Sequence, residues 1–268
     1  MLGAITGDIV GSVYEFNNIK QKDFKLFGSK AFFTDDTVLT IALMEAITRD
    51  VDYGQVMHWY YLQYPSASYG AHFRKWAASL SEQPYNSWGN GSAMRTSPVA
   101  YAFNTLEEVL AKAEHYASFT HNHPEGIKGA QATSAAIFMA RNGTSKEAIR
   151  CYISSQFDYD LNRTLDDIRP TYHFDVSCQG TVPEAIIAFL ESTDYEDAIR
   201  NAISLGGDSD TLACITGGIA EAYYGGVPED IVHSSLQHLD KNLMKTVFSF
   251  YYKYGLALET SATHKRSD

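Results

Sequence analysis

Two short acidic clusters carry the chemistry this sequence can support. Gly206-Gly207-Asp208-Ser209-Asp210-Thr211 places two carboxylates two residues apart, with a hydroxyl directly after them and two glycines before. Thr34-Asp35-Asp36-Thr37 sets two adjacent carboxylates between threonines. Hard divalent cations such as Mg²⁺ prefer carboxylate, hydroxyl and water oxygens in near-octahedral array, and both clusters offer them. Adjacent carboxylates repel unless a cation or the positive end of a helix neutralises them. Taken alone, the 206–211 corner reads first as a helix N-cap, since Asp and Ser are favoured there and most such corners bind no metal. Together, the four aspartates would balance two divalent ions, with threonine hydroxyls beside each pair filling further positions. Two metals in one cleft can clamp a substrate and activate a water.

Other residues flank these clusters. Asp8 and Glu15 stand in the amino-terminal segment, where a lone acid is usually at the surface. Ser87-Trp88-Gly89-Asn90-Gly91 forms a glycine loop just ahead of a helical pattern that begins near Ser92. Its amides could receive an anion, or it is an ordinary turn with a cap. Arg95 suits a phosphate or an internal ion pair. His121 and His123 lack a third ligand at zinc spacing, so either is better placed to contact a substrate. Cys151, Cys178 and Cys214 show no CxxC spacing and read as buried thiols in a reducing compartment.

The elements that must hold these residues are helical almost throughout. Residues 2–16 read as a first helix whose Gly3, Gly7 and Gly11 share one face, which predicts close packing of a neighbour there. Asp35-Asp36 opens a second helix. Helical spacing recurs over 53–64, 72–80, 105–119, 125–141, 144–155, 182–190, 195–205, 212–224, 229–239 and 243–256. Pro183 and Pro228 fall near helix starts, where proline is tolerated. Residues 157–180 are the least periodic stretch and read as a long surface excursion edging a ligand site. The fold class is all-α, a compact orthogonal or irregular helical bundle with the metal site in a central cleft. No composition break divides the 268 residues, which predicts one domain over 1–258 and a polar tail over 259–268.

A formal charge of −11 argues against general affinity for nucleic acid or anionic membrane. Asp8 and Glu15 interrupt the first apolar run, so no secretory signal is expected, and no apolar stretch is long enough to span a membrane. A cytoplasmic location is the expectation. There is no Rossmann pattern, Walker sequence or serine nucleophile elbow. The DDxxD spacing of terpene synthases fails at Leu39.

Five stretches in order resemble one family: 3–15 with its glycines and Glu15, Phe33-Thr34-Asp35-Asp36-Thr37, 89–95, Thr120-His121, and 206–211. They are similar to the motifs of the ADP-ribosylglycohydrolases, the group that includes the dinitrogenase-reductase-activating glycohydrolase. The resemblance implies a dinuclear Mg²⁺ or Mn²⁺ site and hydrolysis at C1 of the distal ribose of ADP-ribose. It implies Thr34, Asp35, Asp36, Asp208, Asp210 and Thr211 as metal ligands, with Glu15, and Asp35 among the ligands, in catalytic roles. It implies substrate contacts from Ser87, Trp88, Gly89, Asn90, Gly91 and His121. The partner would be an ADP-ribosylated protein or small ADP-ribosyl conjugate, with ADP-ribose as product. Residues 92 and 96–98 depart from some relatives, which leaves the modified group open among arginine, serine, a nucleobase and O-acetyl-ADP-ribose. A Mg²⁺-dependent diphosphate or phosphate hydrolase and a non-catalytic ADP-ribose-binding protein are the alternative readings.

Overall fold

The computed structural model describes residues 1–257, so the expected tail at 259–268 lies outside the described residues. Among the described residues there are helices and no strands, with one isolated antiparallel bridge between Gly89 and Ser177. The axis of the molecule is α13 (Ser209–Tyr224), which packs against α1 (Leu2–Gly11), α12 (Tyr195–Ser204), α11 (Cys178–Leu190) and α8 (Pro124–Arg141). A helix enclosed on every side must be apolar all round. Accordingly Leu212, Ala213, Cys214, Ile215, Ile219 and Ala220 are all buried.

The predicted glycine face of α1 packs directly on the backbone of α13. A Cβ added at Gly3 would overlap the Gly217 carbonyl, and at Gly7 it would stand 2.7 Å from Cys214 N. At Gly11 it would stand 2.5 Å from Asp210 Cα. The two helices therefore touch backbone to backbone and run antiparallel. This brings the end of α1 to the start of α13, where Asp208 and Asp210 stand. At the opposite end, Glu221 of α13 accepts bonds from the Met1 amine, from Gly3 N–H (2.8 Å) and from the Tyr251 hydroxyl (2.8 Å). Each helix is thus anchored at both ends of the shared contact.

The second acidic cluster opens α2 (Asp35–Arg49), which packs on α1, α3 (Tyr53–Gln63) and α15 (Lys241–Lys253). Short helices α4 (Ala71–Ala78), α5 (Gly91–Met94) and α6 (Val99–Ala102) lead to α7 (Leu106–Ala117) and α8. Thr105 and Ser145 cap α7 and α9 (Lys146–Phe157) through their hydroxyls, as their positions ahead of the apolar spacing require. A further helix, α14 (Glu229–Leu236), covers α1. No described helix is long and apolar enough to cross a membrane.

Four local expectations are corrected. The first helix stops at Gly11 rather than reaching Phe16. Side-chain bonds end it: Ser12 Oγ donates to the Ile9 carbonyl (2.9 Å), and Asn18 Nδ2 takes the Tyr14 and Glu15 carbonyls. Pro183 lies inside α11 rather than near its start, because the Ser177 hydroxyl receives Gly180 N–H at 3.0 Å and begins the helix upstream. Only part of 157–180 is a surface excursion. Tyr159, Leu161, Leu165 and Ile168 are buried around α10 (Leu165–Ile168), which a Thr164–Asp167 capping box starts. Cys151 is exposed on α9, whereas Cys178 and Cys214 are buried as expected.

Candidate active site

The first acidic corner is shaped from behind by Asp8. This carboxylate is fully buried on α1 and accepts Thr34 N–H (2.9 Å), the Thr34 hydroxyl (2.7 Å) and Thr37 N–H (3.0 Å). Thr34 in turn accepts Asp36 N–H at 3.3 Å as the N-cap of α2. Its hydroxyl therefore has one lone pair left. The corner's geometry is set by a buried acid from another helix.

The second corner is a tight turn. Gly206 and Gly207 both have left-handed backbone, φ 70° and 73°, and a Cβ at Gly207 would meet the Tyr172 ring at 2.6 Å. Both the conformation and the space require glycine. Asp208 then heads α13, and its Oδ2 accepts from Asn90 Nδ2 at 2.6 Å. The glycine loop is thereby bonded directly to the acidic corner.

The two corners meet. Thr211 Oγ1 reaches Asp36 Oδ1 at 3.4 Å, and Asp35, Asp36, Asp208, Asp210 and Thr211 line one cavity of about 420 Å³ together with Glu15. Ligand oxygens of Glu15, Asp208 and Asp210 lie within 4.8 Å of one another, a group that could hold a metal ion. Burial, then the neighbouring Asp210 and Asp8, pushes Glu15 up to about 8. Burial followed by Asp210 raises Asp35 and Asp36 well above the carboxylate range, and burial followed by Asp208 does the same to Asp210. The buried Asp36 Oδ2 has no hydrogen-bond partner. Five converging carboxylates with an orphaned oxygen, and no ammonium or guanidinium bonded to them among the described residues, form a cluster that could bind metal.

The opposite wall is the glycine loop. Asn90 N–H bonds to Val176 O (2.8 Å) and Cys178 N–H to Trp88 O (3.0 Å), so the loop is held by the segment before α11. Ser87, Gly89, Asn90, Gly91 and His121 line the cavity. The side chain of Trp88 is half exposed, tilted toward His123, and does not line the cavity. His121 is buried; burial and then Arg95 hold its pKa well below the usual range, so it is neutral. Its Nδ1 faces the Thr120 hydroxyl at 2.8 Å, and that hydroxyl also accepts Arg95 Nη2 at 2.6 Å. Arg95 is thus a buried support of the histidine without a carboxylate partner. His123 caps α8, accepting Glu125 N–H at 3.1 Å, so the two histidines form no shared metal site.

Asp8 escaped the sequence reading as a site residue. So did Tyr85, His72, Phe73, Phe174 and Val176, which complete the cavity wall. The irregularity of 170–177 was the available signal for the last two.

The sequence model of the ADP-ribosylglycohydrolase family matches residues 1–254. This chain belongs to the ADP-ribosylglycohydrolase family. It is 26% identical to the ADP-ribosylhydrolase ARH3 of Homo sapiens over 85% of this chain and 86% of that one. It is 28% identical to a putative ADP-ribosyl glycohydrolase of Acanthamoeba polyphaga mimivirus, over 88% and 89% respectively. A solved structure described as an ADP-ribosylglycohydrolase-related protein complex shares the fold, with a TM-score of 0.70 at 23% identity over 94% of this chain and 97% of that one. Family membership makes the protein an ADP-ribosyl glycohydrolase, all-α in fold, that acts on ADP-ribosylated substrates.

Proposed function

We propose that this glycohydrolase cleaves the bond at C1 of the distal ribose in an ADP-ribosyl conjugate, with two divalent cations, Mg²⁺ or Mn²⁺, bound in the acidic cavity. The observation that carries this reading is the meeting of two acidic corners from distant parts of the chain, with Glu15 against Asp208 and Asp210. Asp35, Asp36, Asp208, Asp210 and Thr211 would hold the cations, with Thr34 offering its remaining lone pair. Bound cations would supply Lewis acidity and offset the charge of the carboxylates.

The chain's own residues account for the rest. Cleavage develops positive, oxocarbenium-like character at C1 and needs a positioned water. The water's oxygen bonds to C1, the bond from C1 to the modified group breaks, and one proton passes to the departing atom. Glu15 relays that proton, since its carboxylate stands at the cluster's edge against Asp208 and Asp210. Asp35, at the start of α2, helps orient the water. Neutral His121 offers its free ring nitrogen, which faces Gly89 and Gly91, to a substrate oxygen. The Ser87–Gly91 loop receives the diphosphate and ribose; its Ser87, Gly89 and Asn90 N–H groups are already bonded to Thr120 O, Ser87 Oγ and Val176 O, which leaves the amides of Trp88 and Gly91 to meet the anion.

A panel of ADP-ribosylated arginine, serine and DNA substrates and O-acetyl-ADP-ribose, with and without Mg²⁺ and Mn²⁺, tests the proposal by mass spectrometry. Intact ADP-ribose released only with metal supports it. AMP or phosphate would instead establish diphosphate cleavage, and tight ADP-ribose binding without turnover of any substrate would establish a reader.

A further inference from the structure

Residues 12–17 leave α1 as turns, so helical geometry does not determine where Glu15 stands. The tie is a side chain. Asn18 Nδ2 donates to the carbonyls of Tyr14 (2.7 Å), Glu15 (2.9 Å) and Gly207 (2.9 Å), and Asn18 Oδ1 accepts Gly207 N–H at 2.8 Å. The exchange with Gly207 reproduces the two-point pairing of one peptide group with another. Gly207 immediately precedes Asp208, and the Ser209 hydroxyl also reaches back to Tyr14 O at 3.4 Å. One primary amide therefore grips the backbone of the Glu15 segment and the turn that presents Asp208 and Asp210.

We propose that Asn18 is a positioning residue that sets the Glu15 carboxylate against Asp208 and Asp210. Its kinetic consequence rests on the glycohydrolase reading above, whereas its effect on cation binding rests on the cation site proposed there and not on the substrate cleaved. The role demands an N–H donor and an oxygen acceptor on one short side chain. Aspartate lacks the donor, serine cannot make the pair, and glutamine is one methylene too long. Asn18 is exposed and contributes no core packing. The Lys20 ammonium, donating to the Leu205 and Tyr172 carbonyls, separately anchors the same loop. Losing Asn18 therefore frees Glu15 without releasing the loop.

The test compares Asn18→Ala, Glu15→Gln, the double variant and the parent protein by steady-state kinetics and by calorimetric Mn²⁺ titration without substrate. In Asn18→Ala, kcat should fall about 30-fold with KM changed less than about threefold, the pattern of a misplaced reacting group. Mn²⁺ binding should weaken about tenfold, as for loss of an orienting partner. Adding Asn18→Ala to Glu15→Gln should lower kcat less than about threefold further, because the group it positions is already gone. Gln21→Ala, whose side chain bonds only to the Asp23 carbonyl among the described hydrogen bonds, should change neither readout. Asn18→Ala with kcat and Mn²⁺ affinity both near parental values would overturn the proposal, as would fully multiplicative losses in the double variant. If Asn18→Ala fails to fold, the same measurements on Asn18→Ser decide by the same criteria. A parent protein that hydrolyses no ADP-ribosyl conjugate refutes the functional reading, and the Mn²⁺ titrations then decide the role of Asn18 alone.

Discussion

Gly7→Ala is the most searching perturbation of the α1–α13 contact. The added methyl would overlap the Ala213 carbonyl and stand 2.7 Å from Cys214 N. Both obstacles are backbone inside a buried helix, so no side chain can swing aside. The helices must part by about 1 Å, and overpacking of this kind costs ~1–3 kcal/mol, here at the upper end. Alanine returns about 1 kcal/mol of helix propensity relative to glycine. The net expectation is destabilisation by about 2 kcal/mol, which lowers Tm by roughly 4–8 °C in a protein of this size. Parting the helices also moves Asp8 and Glu15 away from Asp208 and Asp210, and a displacement of about 1 Å at reacting groups costs roughly 100-fold in rate. Differential scanning calorimetry and steady-state kinetics read the two effects. Gly28→Ala, where an added Cβ meets nothing within 4 Å, is the control. A Gly7→Ala protein at least as stable as the parent, with unchanged kcat, would refute the claim that this contact positions the site.

The remaining predictions concern the acidic cavity. Burial foremost raises Asp8 and Asp208 to about 6 and Glu15 to about 8, from ordinary values of 3.8 and 4.5. The folded state then keeps protons that the unfolded chain has released, so stability in chelator should fall as pH rises from about 4 to above 8. Saturating Mn²⁺ should raise Tm most at the alkaline end, and a chelated protein whose Tm is flat between pH 5 and 8.5 would contradict this. Glu15→Gln should cut kcat by roughly 10²–10⁴ while ADP-ribose binds within a few-fold of normal by calorimetry. Asp35→Asn and Asp208→Asn should each weaken Mn²⁺ binding by more than about tenfold, with apo Tm unchanged or raised because repulsion is relieved. Asp8→Asn can keep an acceptor oxygen toward the Thr34 and Thr37 N–H groups but sets an amide donor against the Thr34 hydroxyl, which loses its acceptor, and should destabilise by about 1–3 kcal/mol in denaturant titration.

Much of this architecture was legible in local pattern. Glycines every fourth residue announced a backbone contact on one face of α1, and the acidic corner at 34–37 announced the start of α2. The convergence of the two acidic corners was expected from charge, since four aspartates brought together would balance two divalent ions. What escaped was set by partners far along the chain. Asp8 could not be sorted from a surface acid because α1 is buried on every side, and helical periodicity tells inside from outside only when a helix has an outside. The early end of α1 goes with a local bond from Ser12 to Ile9 O and with Asn18, whose side chain also pairs with the distant turn at Gly207. The buried part of 157–180 shows no period because its apolar residues are pinned singly, over short irregular spans, rather than along one helix face.

The antiparallel contact of α1 with α13 makes the site a matter of residue count as much as residue type. Each residue of an α-helix advances the chain about 1.5 Å and rotates it by about 100°. A single insertion between Gly7 and Gly11 would turn the rest of the helix through more than a quarter circle, driving a side chain into the Asp210 backbone where Gly11 now stands. A deletion would do the reverse. The two paired helices therefore cannot change length without taking the acidic corner apart, even where one apolar residue replaces another on their outer faces.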